Sequence, residues 1–215
     1  KSGSREAFRE AGIELPDGYE NLPDEAAAVA ALDRLKKDHP QLRRAVVKIN
    51  DGFSGEGNAL FTYPAPMPDD EPARQAAIRS ALDSMKFSAP DHSRAEFFAK
   101  YAQMGGIVEE FLDADEVHSP SVQLRITPTG QLQIISTRDQ ALGGDSGQVY
   151  LGCRFPATEE YRSLITERAH YVGEVLKERG VLGRFAIDFL VYRKNGGDWR
   201  CAAIEINLRM GGTTF

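Results

Sequence analysis

The chain has 215 residues, 41% of them hydrophobic and 27% charged, with a formal net charge of −6. That is the composition of an ordinary soluble globular protein able to bury a core. Its acidity argues against a general nucleic-acid surface, which needs clustered cations to displace counterions. No apolar run approaches the roughly 20 residues of a membrane span, so neither nucleic acid nor membrane is an expected partner. Cys153 and Cys201 stand far apart without a CxxC pattern, which fits a reduced, cytoplasmic setting. His39, His92, His118 and His170 show no zinc-ligand spacing. The opening Lys1-Ser2-Gly3 has no initiator Met or signal peptide, so the chain is expected to be a piece of a larger protein.

In chain order, Lys1 to Pro16 reads as a short helix followed by the turn Leu15-Pro16-Asp17-Gly18. A second helix follows Asn21-Leu22-Pro23, with Pro23 suited to its first turn, and stops before Pro40. Ala45 to Asn50 is a compact apolar strand. The glycine-rich stretch Asp51 to Gly57 and the strand Ala59 to Tyr63 complete a hairpin with a mobile tip. Helices are expected over Glu71 to Lys86 and Ser93 to Gln103, with Phe87 to Asp91 a loop. Gly105-Gly106 releases the strand Ile107 to Leu112. A hairpin of Val117 to Thr127 and Gln131 to Thr137 follows, then a short strand around Val149 to Cys153. The clearest helix is Thr158 to Arg179, capped by Thr158, stopped by Gly180, and striped by Tyr161, Leu164, Ile165, Ala169, Val172 and Leu176. Strands Arg184 to Tyr192 and Trp199 to Asn207 flank the turn Asn195-Gly196. Two α+β lobes joined near Glu110 to Asp113 are the economical organisation.

The last hairpin carries the strongest chemical signal. Alternation along a strand puts Ile204, Ile206 and Leu208 on one face and Glu205, Asn207 and Arg209 on the other. On the preceding strand Asp188 shares a face with Ala186, opposite Phe185, Ile187, Phe189 and Val191. A turn centred on Asn195-Gly196 pairs Asp188 near Ala203 and makes Glu205 its diagonal neighbour, roughly 7–8 Å away. The small residues Ala186, Cys201 and Ala203 would leave room on that face. A divalent ion can span two such carboxylates; the alternative is the solvated face of an edge strand. The second signal is Lys48 at the end of a buried strand, followed by glycines whose N–H groups can approach phosphate oxygens. It is not a Walker A loop, because no Gly-Lys-Ser/Thr opens a helix.

Glu205-Ile206-Asn207-Leu208-Arg209 with Gly211-Gly212, and the preceding Gly183 to Phe189, resemble the metal-binding strands of the ATP-grasp superfamily. Ser136 to Gly144, Tyr150 to Ala157 and Leu208 to Thr214 resemble the ATP-grasp peptide ligases of the pheganomycin type. The resemblance implies an α+β fold whose two lobes, with mainly antiparallel sheets, clasp ATP: residues 1–111 with the glycine-rich lid, and 112–215 with the metal strands. It implies that Asp188, Glu205 and Asn207 hold Mg²⁺, with Mn²⁺ as a substitute. Arg209 would face the transferring phosphate, and Lys48 would contact the nucleotide. Gly52, Ser54, Gly55, Glu56 and Gly57 would close over the phosphates. Glu109, Glu110, Phe111 and Leu112 would read the adenine edge, and Glu116 would bind the ribose.

The implied activity is ATP-dependent joining of a small carboxylate to an amine or peptide through an acyl phosphate, releasing ADP and phosphate. Alternatives sharing the nucleotide site are a non-catalytic nucleotide-binding module, or a kinase or acyl-CoA ligase with another acceptor. Arg125, Arg138 and Arg154 are candidates for binding a substrate carboxylate.

Overall fold

The computed structural model describes residues 1–52, 57–88, 93–143, 147 and 149–211. Its backbone contacts divide it into two units. One comprises Lys1–Ser2, Pro16–Leu112 and Gly143–Val149, and the other Gly3–Leu15, Asp113–Leu142 and Tyr150–Phe215. Each is built on a five-stranded sheet, and every registered strand pair is antiparallel.

In the N-terminal unit the strand order is β1-β5-β2-β3-β4, with β1 Gly18–Leu22, β2 Arg44–Ile49, β3 Asn58–Thr62, β4 Lys86–Phe87 and β5 Gly106–Glu110. Helices α2 (Glu25–Asp38), α3 (Glu71–Ala81) and α4 (Arg94–Met104) cover one face. Leu32, Leu35, Ile78, Phe97 and Tyr101 there pack on Ala45, Val47, Ile49, Phe61 and Val108. The helix starts are chemically specified. Asp24 accepts from the Ala27 amide at 2.8 Å, and Ser93 with Glu96 forms a reciprocal capping box. Pro23 therefore precedes the cap of α2 and does not sit in its first turn. The expected helix through Lys86 also stops early. A 3-10 turn at Leu82–Ser84 follows Ala81, and Lys86-Phe87 pairs with β3 so that Phe87 can pack on the core.

The C-terminal unit has the order β10-β9-β6-β7-β8, with β6 Glu116–Ile126, β7 Leu132–Gly143, β8 Val149–Arg154, β9 Gly183–Arg193 and β10 Arg200–Asn207. The long helix α5 (Glu159–Glu178) and residues Ala7 and Phe8 of α1 (Ser2–Glu10) pack on one face. That face presents Val122, Leu124, Phe185, Ile187, Phe189, Val191, Cys201 and Ala203. Thr158 precedes α5 as expected, but its hydroxyl donates to Asp139 at 2.7 Å and does not cap the helix. Strand β7 runs beyond Thr137 because Arg138, Asp139 and Gln140 still pair with Ser121, Pro120 and Ser119. Among the described residues, no helix is long and apolar enough to cross a membrane.

The glycines separate positions that require no side chain from positions that merely lack one. A Cβ on Gly106 would stand 2.2 Å from the Tyr101 ring and 2.4 Å from the Lys48 carbonyl oxygen. A Cβ on Gly3, inside α1, would meet nothing within 4 Å. Gly106→Ala should lower stability by about 2–3 kcal/mol. Gly3→Ala should raise it by roughly 0.5–1 kcal/mol. Urea-denaturation midpoints read both, and a Gly106→Ala variant as stable as the parent would contradict the close approach.

Candidate functional site

The acids of the last hairpin meet more closely than alternation predicts. From Arg200↔Tyr192 to Ala203↔Phe189 the pairing of β10 with β9 is regular, and then a bulge intervenes. Beyond it Glu205 faces Asp188 directly, Ile206 faces Ile187 and Asn207 faces Ala186. The diagonal placement expected above is thus corrected to a direct cross-strand pair. Their assumed neighbours are corrected too. Cys201 and Ala203 lie in the core, paired with Val191 and Phe189, and the bulge that follows puts Glu205 on the opposite face from them. The small residues sharing the acids' face are Ala186 and Ala202, which pair with Asn207 and Leu190.

The same face continues across the sheet. Asp188 is in register with Ser121 of β6, and Ser121 with Arg138 of β7. One transverse row therefore reads Glu205, Asp188, Ser121, Arg138. The neighbouring row reads Asn207, Ala186, Gln123, Ser136. Asn207 donates its Nδ2 to Asp188 Oδ2 at 2.9 Å, and Gln123 donates to Ser121 Oγ at 2.9 Å. Ser121 and Gln123 are buried, and sequence reasoning missed both. Their signal was available: polar Ser121 and Gln123 alternate with apolar Val122 and Leu124.

The donor set fits a hard cation. It offers two carboxylates in direct opposition and the carboxamide oxygen of Asn207, whose nitrogen is already spent on Asp188. All-oxygen sets of this kind suit Mg²⁺ or Mn²⁺. Among the described residues no group of three His, Cys, Asp or Glu side chains forms a metal cluster. An ion here would complete its shell with phosphate or water oxygens, as Mg²⁺ commonly does. Arg209 lies just past the end of β10 and is exposed. Arg125 and Arg154 are exposed as well, whereas Arg138 is half-buried.

The N-terminal unit places Lys48 and Glu109 on the sheet face away from its helices. Lys48 pairs with Ile107, Val46 with Glu109, and Val46 with Leu60. There Lys48 forms a buried ion pair with Glu109, the two side chains being 5% and 3% exposed. Gly18 opposite Glu109 has no room for a side chain, since a Cβ would fall 2.2 Å from the Val108 oxygen. The glycine hairpin closes where Ile49 N–H donates to the Gly57 carbonyl at 2.8 Å, with Gly52 against Gly57. Ser54, Gly55 and Glu56 lie outside the described residues.

Of the segment expected to read adenine, Glu109 is held in register by both β1 and β2. Glu110 and Phe111 give their N–H groups to the carbonyls of Asp17 (2.8 Å) and Arg44 (3.2 Å). Leu112 enters no hydrogen bond among the described residues. Glu116 is in register with Arg193 in the C-terminal unit and bonds its guanidinium at 2.8 Å. That hydrogen bond holds the Glu116 carboxyl below the usual range. Asp115 accepts from the Asn195 amide at 2.7 Å.

Both units share the fold of known ATP-grasp enzymes. The Campylobacter jejuni biotin carboxylase complexed with β,γ-ATP superposes with a TM-score of 0.66 at 18% identity, covering 99% of this chain and 40% of that one. The biotin carboxylase domain of Hydrogenobacter thermophilus 2-oxoglutarate carboxylase, crystallised with MgADP, ADP and bicarbonate, gives 0.67 at 16% identity, covering 99% and 40%. A family model described as "IQCH-like, ATP-grasp" matches residues 92–211, more than half of the chain, so the chain belongs to the IQCH-like ATP-grasp family. The L-propargylglycine--L-glutamate ligase of Streptantibioticus cattleyicolor is 35% identical over 215 residues, covering 99% of this chain. The chain spans 41% of that relative's length.

Two measurements test this geometry. Burial pushes the Cys201 thiol up to about 12, while Cys153 is half-buried. Iodoacetamide at pH 8 should therefore label Cys153 in the native protein and reach Cys201 only after unfolding. Equal labelling of both thiols would take Cys201 out of the core. Separately, Asp188→Asn should weaken Mn²⁺ binding in the presence of ATP by roughly 10–100-fold, with an unchanged far-UV spectrum. An unaltered Mn²⁺ titration by electron paramagnetic resonance would take Asp188 out of the metal site.

Proposed function

We propose that the protein containing this chain is an ADP-forming carboxylate–amine ligase that activates its carboxylate as an acyl phosphate. The observation that carries the reading is the direct opposition of Glu205 and Asp188, with Asn207 bonded alongside. Like charges placed directly opposite on a sheet are destabilising unless something binds there. Asp188, Glu205 and Asn207 would hold Mg²⁺, which when bound neutralises charge on the terminal phosphates of ATP.

The remaining roles follow from position. Leu112, just past the end of β5, would offer its main-chain N–H to the adenine, and Glu116 would take the ribose. Lys48, held by Glu109, presents a cation at the foot of the glycine hairpin, suited to phosphate oxygens. Arg209 would face the transferring phosphate. A carboxylate oxygen of the substrate attacks the γ-phosphorus and ADP leaves. An amine nitrogen then attacks the acyl carbon, phosphate leaves, and the nitrogen gives up a proton to form the amide. Neither step requires a Ser, Cys or His nucleophile. Positioning and charge neutralisation suffice, because phosphoryl transfer asks little covalent chemistry of the protein. An acyl phosphate is open to attack by water, so the Gly52–Gly57 loop would serve a second purpose in excluding it.

The relatives support this chemistry. One of them joins L-propargylglycine and L-glutamate, and the solved structures of the same fold hold ATP analogues or MgADP. In the full-length protein, Glu205→Gln should lower phosphate release by about 100-fold or more while leaving ATP affinity within severalfold of the parent. Phosphate release and isothermal calorimetry read the two quantities, and full turnover in that variant would sink the assignment. Mass spectrometry of products from the intact protein, Mg·ATP and a pooled amino-acid mixture should show a new amide.

A further inference from the structure

Along the row from Asp188, Arg138 is a cation whose bonding among the described residues is incomplete. Arg138 is in register with Ser121, and Ser121 with Asp188. The guanidinium-bearing residue therefore starts about two interstrand spacings, roughly 9–10 Å, from the acid. Its Nε is buried and has no hydrogen-bond partner among the described residues. Its other contacts are weak: Nη1 lies 3.9 Å from Cys153 Sγ, and the guanidinium stacks 5.1 Å from the centre of the Phe155 ring. No carboxylate pairs with it among the described residues. A half-buried guanidinium with an orphaned N–H is costly. The group that best satisfies its planar fork is a carboxylate, bound bidentately. The exposed face of Phe155 (65% exposed) lies against the same guanidinium and offers an apolar wall beside it.

We propose that Arg138 is the specificity residue for a substrate carboxylate that is not activated, so that the ligase acts on an amino acid or a dicarboxylic acid. This rests on the ligase reading and narrows its substrate class. The geometry separates Arg138 from Arg125 and Arg154, which are exposed. It also orders the site: phosphate chemistry at Asp188 and Glu205, and recognition of the spectator carboxylate two strands away.

The test uses the full-length protein with Mg·ATP and pairs of the proteinogenic L-amino acids, read by phosphate release. For each active pair the free carboxylate is replaced by a carboxamide, once in the donor and once in the acceptor, which identifies the molecule that Arg138 holds. In the parent, one of these replacements should lower kcat/KM by roughly 10–100-fold. In Arg138→Gln the acid and its amide should be equally poor, with unchanged Mg·ATP affinity and near-ultraviolet circular dichroism. Arg138→Lys, which keeps the charge and loses the fork, should fall between them. If Arg138→Gln still prefers the acid as strongly as the parent, the proposal is wrong and the ligase reading survives. If no pair releases phosphate, or Glu205→Gln remains active, the ligase reading fails and takes this proposal with it.

Discussion

One additional residue in β10, inserted between Ala203 and Glu205, decides what the C-terminal sheet presents. Continuing the pairing that joins Ala203 to Phe189 would place Ile204 opposite Asp188 and Glu205 opposite Ile187. Because side chains alternate with a period of two, that single-residue slip would send Glu205 into the core and pull Ile206 out of it. The bulge prevents both. Ile206 packs against the apolar cluster under α5, and Glu205 turns to the face that carries Asp188. Bulges are common where a strand must re-aim a side chain. Here the result is two carboxylates directly opposite one another, an arrangement that their like charges disfavour.

The two units follow one division of labour. Helices seal one face of each sheet with aliphatic and aromatic side chains, and the opposite face carries the groups able to do chemistry. In the N-terminal unit those groups are Lys48 and Glu109, set among Val46, Leu60 and Ile107. A buried ion pair is weak evidence of stability, since desolvation offsets much of its attraction. Its value lies in fixing where the ammonium points, on a strand whose next residues form the base of the glycine hairpin. In the C-terminal unit the neutral Gln123 donates to Ser121, between the charged residues Asp188 and Arg138 of the row.

Much of this was legible in the sequence because periodicity reports which face an element buries. The stripe of α5, the apolar run of β2 and the alternation of β9 each lead to the observed element. The departures have local causes. Strand β1 (Gly18–Leu22) hides as a turn because Gly18 and Asn21 look like loop residues. In fact Gly18 is glycine because the Val108 carbonyl fills the place of its side chain. Strand β4 hides at the end of a helical pattern, since two residues are too short to show a period. The identities Asp188, Glu205 and Asn207 could be read directly, but their register could not. A bulge leaves no compositional mark, and only the partner strand reveals that 203 and 205 oppose successive residues.

Under the proposed reading, the row's charge pattern would also decide which carboxylate is activated. Triphosphate and carboxylate are both anions, and the chain itself is acidic, so nothing in the overall field draws a second anion toward the first. Under that reading, a cation held by Asp188 and Glu205 would answer the phosphates, yet the same cation would also attract the wrong end of a two-carboxylate substrate. Arg138, as proposed, would remove that ambiguity by fixing one carboxylate through paired N–H donors. The other would then face the phosphate at a separation set by the sheet itself. Ser121, uncharged and buried, stands between Asp188 and Arg138 and would compete for neither anion. The spacing of strands, and not the reach of flexible side chains, would then decide which carboxylate is activated.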